Sequence, residues 1–238
     1  PVAVGDSTPS VVTNDDLNGS TPVIGTNPGE VTLTGVTVPA ELTLNPDGTI
    51  TVSPTAPSGT YTLVYQICEN GANPVNCDTA TATVVVGNPI DAVDDTPSPI
   101  ATGDSTPSVV TNDDLNGSTP VIGTNPGQVT LTGVTVPTEL TLNPDGTITV
   151  EPNTPSGTYT VVYEICEVGA NPINCDTASA TVVVLNPIDA VNDDYSATPL
   201  TSNDTTPSVV LNDTLDGAPV VIGTNPGQVT LTGVTVPT

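Results

Sequence analysis

The sequence predicts an all-β chain of tandem sandwich domains, and three observations carry that expectation. Residues 5–29 recur unchanged at 103–127, and VTLTGVTVP recurs at 31–39, 129–137 and 229–237, giving offsets of 98 and 100 residues. Such a period exceeds a solenoid turn or a propeller blade and matches one small β domain per repeat. Thr, Val and Ile dominate the segments between Pro- and Gly-rich turns, and no helical period survives among them. Charged residues make up only 11% of the chain, so long β-patterned runs argue for folded repeats rather than an acidic disordered tail. The expected domains are 1–89, 90–187 and a partial third over 188–238. The third stops in mid-domain, which reads as a window onto a longer polypeptide.

Within the first repeat, β-like runs fall near 9–13, 22–24, 30–38, 41–44, 48–53, 59–68 and 77–86. The turns between them are NDDLNG (14–19), NPG (27–29), NPDG (45–48) and APSG (56–59). Asn-Pro-Asp-Gly is a strong hairpin signal, because Pro46 presets φ and Gly48 accepts a positive φ. About seven short strands at this spacing give an immunoglobulin-like sandwich. Phe, Trp and Met are absent, so the core must be Val, Ile, Leu, Ala and a few of the 5 tyrosines. In 59–68, Tyr61, Leu63, Tyr65 and Ile67 share one face, and in 77–86 Ala80, Ala82, Val84 and Val86 do the same. Cys68 and Cys77 then fall on the less apolar faces of neighbouring strands. Disulfides Cys68–Cys77 and Cys166–Cys175 follow, each pinning a hairpin from outside the core, with free thiols as the alternative. Four thiols split between two domains without histidine cannot close a metal site. Disulfides imply an oxidising, extracellular setting.

Lys, Arg and His are absent while Asp and Glu number 26, so side-chain salt bridges are impossible. Self-repulsion on that scale argues against nucleic acid or anionic lipid as partner, and no apolar run is long enough to span a membrane. The natural counter-charge is a metal cation, Ca²⁺ first, held by carboxylate and amide oxygens. Two acidic sets are candidates. One lies in the linkers: Asp91, Asp94 and Asp95, then Asp189, Asp193 and Asp194. The weaker one lies in NDDLNG: Asn14, Asp16 and Asn18, repeated as Asn112, Asp114 and Asn116. That loop echoes the start of an EF-hand, yet Gly25 stands where the twelfth ligand belongs. A plain turn and a metal loop both remain open for it. Catalysis has almost no inventory here: no His or Lys base and no Arg clamp. The chain reads as non-enzymatic. Thr-x-Thr runs suggest an ice-binding face, but Thr is also the best polar strand former left once Lys and Arg are excluded.

The pattern AVDD…VVTNDDLNG…LNPDGTITV…GTYTLVYQICE…NPVNCDTATATVVV resembles the cadherin-like and immunoglobulin-like tandem repeats of giant cell-surface adhesins in Bacteroidota. That group includes gliding-motility adhesins exported by type IX secretion. The resemblance covers essentially the whole chain and is most specific over the stretch around the two cysteines. It implies a stalk that holds an adhesive region off the bacterial cell surface, with neighbouring repeats of the chain as its partners. It also implies calcium at the acidic linkers and, where Asp-Thr is followed by a small or apolar residue, O-glycosylation of Thr79, Thr177 and Thr214. A different class of reading is a subunit of an assembled extracellular fibre, in which copies pack laterally or donate strands.

Overall fold

The computed structural model describes residues 1–197 and 200–234; residues 198–199 and 235–238, the end of the third VTLTGVTVP copy, lie outside the described residues. In the first repeat, β1 (Val31–Thr37), β4 (Gly59–Glu69) and β5 (Cys77–Val86) form an antiparallel sheet in the order β1-β4-β5. The strands β2 (Leu42–Leu44) and β3 (Ile50–Val52) form a separate hairpin. Its turn is the predicted one. The Gly48 N–H donates to Asn45 O at 2.9 Å, and Gly48 takes φ +82°. A Cβ there would also collide with Ser10 Oγ, so Gly48 is required twice over.

The core of this repeat lies between these two layers. Leu42, Ile50 and Val52 from the hairpin pack with Leu63, Tyr65, Val84 and Val86 from the sheet. Leu63 pairs with Ala82 and Tyr65 with Ala80, so the alternation read from sequence gives the observed inner face. Completely burying each Val, Leu or Ile contributes roughly 1.5–3 kcal/mol.

Two of the expected strands are corrected. The run 9–13 holds no strand; Val11–Asn14 is a 3₁₀ turn with Val12 buried, tied by Val11 N–H to Gly48 O at 2.8 Å. The β-branched pair favours a strand in isolation, but here the chain must turn around the end of the sandwich, and that contact overrides propensity. The run 22–24 contributes only a single bridge, Ile24 to Val31. Conversely, residues 1–8 carry unexpected pairing. Val2 bridges Val86 in the parallel sense and Ser7 bridges Thr51 antiparallel, with a bend at Gly5 (φ +81°) between them. The segment thus edges the sheet first and the hairpin afterwards.

The second repeat repeats the pattern. It has β8 (Val129–Thr135), a β9 (Leu140–Leu142) and β10 (Ile148–Val150) hairpin, and β11 (Gly157–Glu167) with β12 (Cys175–Val184), in sheet order β12-β11-β8. At its start, β6 (Ile90–Asp91) pairs with β7 (Asp114–Leu115). After it, β13 (Ile188–Asp189) pairs with β14 (Thr214–Leu215), which pairs with β15 (Ala218–Pro219). Two compact units emerge. The first is Pro1–Ala92 with Asn112–Thr132 and Glu164–Thr177; the second is Val93–Thr111, Gly133–Tyr163 and Ala178–Thr238. The hairpin end of the second repeat therefore belongs to the first unit.

Candidate functional site

Cys68 and Cys77 face each other in register across β4 and β5 and are joined, S–S 2.06 Å, as are Cys166 and Cys175, S–S 2.03 Å. Cys77 is exposed and Cys68 half-buried, so the staple sits on the outer face, as the alternation predicts. The one group of three metal-type side chains among the described residues is Glu164, Cys166 and Cys175. Its two sulfurs are spent on each other, so it offers no thiolate to a metal.

The NDDLNG loop closes on itself. Asp16 Oδ1 accepts the Gly19 N–H at 2.9 Å and Asp114 Oδ1 the Gly117 N–H at 2.7 Å. Asn18 and Asn116 take φ 55° and 53°, the left-handed region that Asn tolerates. Asp15 turns inward and accepts from the Tyr65 hydroxyl at 2.9 Å. Burial, then the hydrogen bond and the charge of Asp15, push the Tyr65 pKa up to about 12.

The linker acids are dispersed rather than gathered. Asp91 lies opposite Asp114 in the β6–β7 ladder, which brings one member of each acidic set together. Asp94 Oδ1 accepts from the Ser179 N–H and hydroxyl, at 2.8 and 2.9 Å, and these bonds hold its pKa below the usual carboxylate value. Asp95 accepts from the Tyr163 hydroxyl at 3.1 Å. In the third copy Asp189 pairs with Thr214, and Asp194 caps the Ser196 N–H at 2.9 Å, with its pKa lowered by the Ser196 bonds. Burial, then the charge and hydrogen bond of Asp193, push the Tyr195 phenol pKa up. No three of these carboxylates come together as a ligand group among the described residues. Thr79 and Thr177 are exposed, and Thr214 is half-buried in β14.

Sequence reasoning missed a buried acid at the hairpin tip of the second repeat. Glu167, 5% exposed, stands at the end of β11 and is met by groups of the first repeat. Its Oε1 accepts the Ser58 N–H at 3.0 Å and the Asn88 Nδ2 at 2.6 Å; its Oε2 accepts the Asn174 Nδ2 at 2.7 Å. In return the Asn171 N–H donates to Ser58 O at 2.9 Å, and Asn174 Nδ2 to Asn88 O at 2.8 Å. Asn88 is itself buried and also donates to Ala56 O at 2.9 Å. The signal was present as Cys-Glu before the hairpin tip and Asn-Cys after it, but only pairing across repeats shows what the carboxylate faces.

No protein-family model matches the chain, and no curated protein matches it either. Solved structures similar to it are cadherin extracellular domains. Domains 3–6 of protocadherin gamma B2 are 16% identical over 78% of this chain and 49% of that one, TM-score 0.32. Chicken VE-cadherin EC1-2 is 13% identical over 65% of this chain and 83% of that one, TM-score 0.30. Human protocadherin-24 EC1-2 is 14% identical over 65% and 81%, TM-score 0.29. The chain spans about half the length of the first of these, and its own all-β sandwich architecture stands on the strand pairing above.

Proposed function

We propose that this chain is a structural repeat segment, a stalk, of a large secreted and surface-anchored bacterial adhesin or filament. The observation that carries the reading is duplication of a whole sandwich, with its outer disulfide, in a chain that holds no Lys, Arg or His. What is multiplied is folded mass and durability. The disulfides support an oxidising location outside the cell. No helix among the described residues is long and apolar enough to cross a membrane. Resemblance to gliding-motility adhesins supports a bacterial cell-surface setting, and Thr79 and Thr177 are exposed where glycans would be attached.

Small-angle scattering of the chain, and of versions carrying additional copies of residues 90–187, tests the stalk. The maximum dimension is expected to rise by a constant step per inserted copy. A dimension that stays flat overturns the reading. Calcium at the linkers would recruit its oxygen ligands around the Asp91–Asp114 pair. Thermal melts with calcium and with chelator decide it, and coincident curves remove calcium from the stalk.

A further inference from the structure

We propose that the hairpin tip bearing Glu167 is a docking surface whose partner is the Ser–Asn end of an adjoining repeat of the same kind, its carboxylate held by hydrogen bonds without an ion pair. The inference rests on the reading of the chain as a repeat array. A buried carboxylate must be compensated, and without Lys, Arg or His only N–H and O–H donors or a metal can do it. Glu167 is compensated by three donors, two of them, Ser58 N–H and Asn88 Nδ2, from the first repeat. The Asn88 amide has one sensible orientation here, because flipping it would set its oxygen against the carboxylate.

Both halves recur elsewhere in the chain with the same internal geometry. Asn76 Nδ2 donates to Glu69 Oε2 at 2.8 Å, and the Glu69 N–H to Asn76 O at 2.9 Å, as Asn174 and Glu167 do in the second repeat. At the far end of the second repeat, the Asn186 N–H donates to Ser156 Oγ at 2.9 Å and Asn186 Nδ2 to Thr154 O at 2.6 Å, mirroring Asn88 with Ser58 and Ala56. Each half is thus shaped by its own repeat before joining, which lowers the ordering cost of docking. Joining also changes burial. Glu167 and Asn88 are buried at the joined tip and end, whereas Glu69 and Asn186 are half-buried. Ser156 and Asn186 line a cavity of about 400 Å³ together with Pro155, Pro226, Gly227 and Gln228. At the first joint the counterpart Gln128 offers its carbonyl to the Val168 N–H of the tip, at 2.9 Å. That cavity therefore has the lining of a second socket for a Glu-bearing tip.

Hydrogen exchange on the full chain reads the joint at the Ser58 and Asn171 amides. Glu167→Gln places an amide donor among donors and is expected to speed exchange at both by about tenfold, as loss of a bond of about 1.4 kcal/mol would. Asn88→Ala, which attacks the same bond from the other side without touching the hairpin, is expected to do likewise. Glu69→Gln makes the same change in the first repeat's tip and is expected to leave Ser58 and Asn171 at the wild-type rate. Wild-type exchange in both Glu167→Gln and Asn88→Ala overturns the docking role. An equal effect of Glu69→Gln overturns it too, since the glutamate would then serve only general hairpin stability. Scattering that keeps its constant step while these amides are unaffected would sink the joint and leave the stalk standing.

Discussion

The Tyr65 hydroxyl shows how one side chain closes the end of a sandwich. Its ring is 3% exposed in the core, while its oxygen reaches Asp15 at 2.9 Å and Val11 O at 3.2 Å. Folding raises its pKa from the ordinary 10 to about 12, so the fold favours the protonated phenol. The stability it contributes is whole below pH 10 and is lost as pH climbs from there to about 12. Denaturant melts across that window are expected to show stability falling with pH, and Tyr65→Phe should flatten the slope at a cost of about 1–2 kcal/mol at neutral pH. Tyr163 does the equivalent work in the second unit, donating towards Val93 O and Val109 O, both at 3.1 Å. Alternation in the sequence placed Tyr65 inside. Its acid partner was not legible, because Asp15 lies fifty residues earlier in a turn whose other acid points outward. Glu167 was illegible for the same reason, its partners Ser58 and Asn88 being 109 and 79 residues away.

The stapled hairpin is the element in which local pattern and tertiary structure agree most closely. Strict alternation put the cysteines on the outer face, and the register Cys68 to Cys77 sets their Cα atoms 4.1 Å apart. A ring this short removes little chain entropy on unfolding, so each disulfide contributes roughly 2–3 kcal/mol. Reduction, or the pair Cys68→Ser with Cys77→Ser, is expected to lower the stability of the first repeat by that amount without changing its strand content by circular dichroism. A collapse of strand signal on reduction would contradict an external staple. The short elements fared worse. The runs 9–13 and 22–24 read as strands because of their β-branched residues, yet each opens on a proline, Pro9 and Pro22, which cannot donate to a ladder. The two-residue ladders β6–β7 and β13–β14 are too brief for any period to announce them.

At the scale of the whole molecule, a core without Phe, Trp or Met depends on a few complete burials. Leu63 is fully buried, and Leu63→Ala is expected to cost about 2–5 kcal/mol in chemical denaturation, a large share of the stability of so small a domain. A loss under 1 kcal/mol would mean that the site collapses onto the deleted atoms. The sequence by itself determined the all-β class, the repeat, the NPDG hairpin and the outer disulfides, because each is written in residues close along the chain: an alternation of two, a turn tetrapeptide, a spacing of nine. Only the tertiary structure decided where the acids go. It scattered the linker aspartates onto Ser179, Tyr163 and Ser196, and it buried Glu167 against another repeat. In a chain without a single basic side chain, a carboxylate's partners are backbone and amide N–H groups and hydroxyls, and these are brought within reach by folding rather than by spacing.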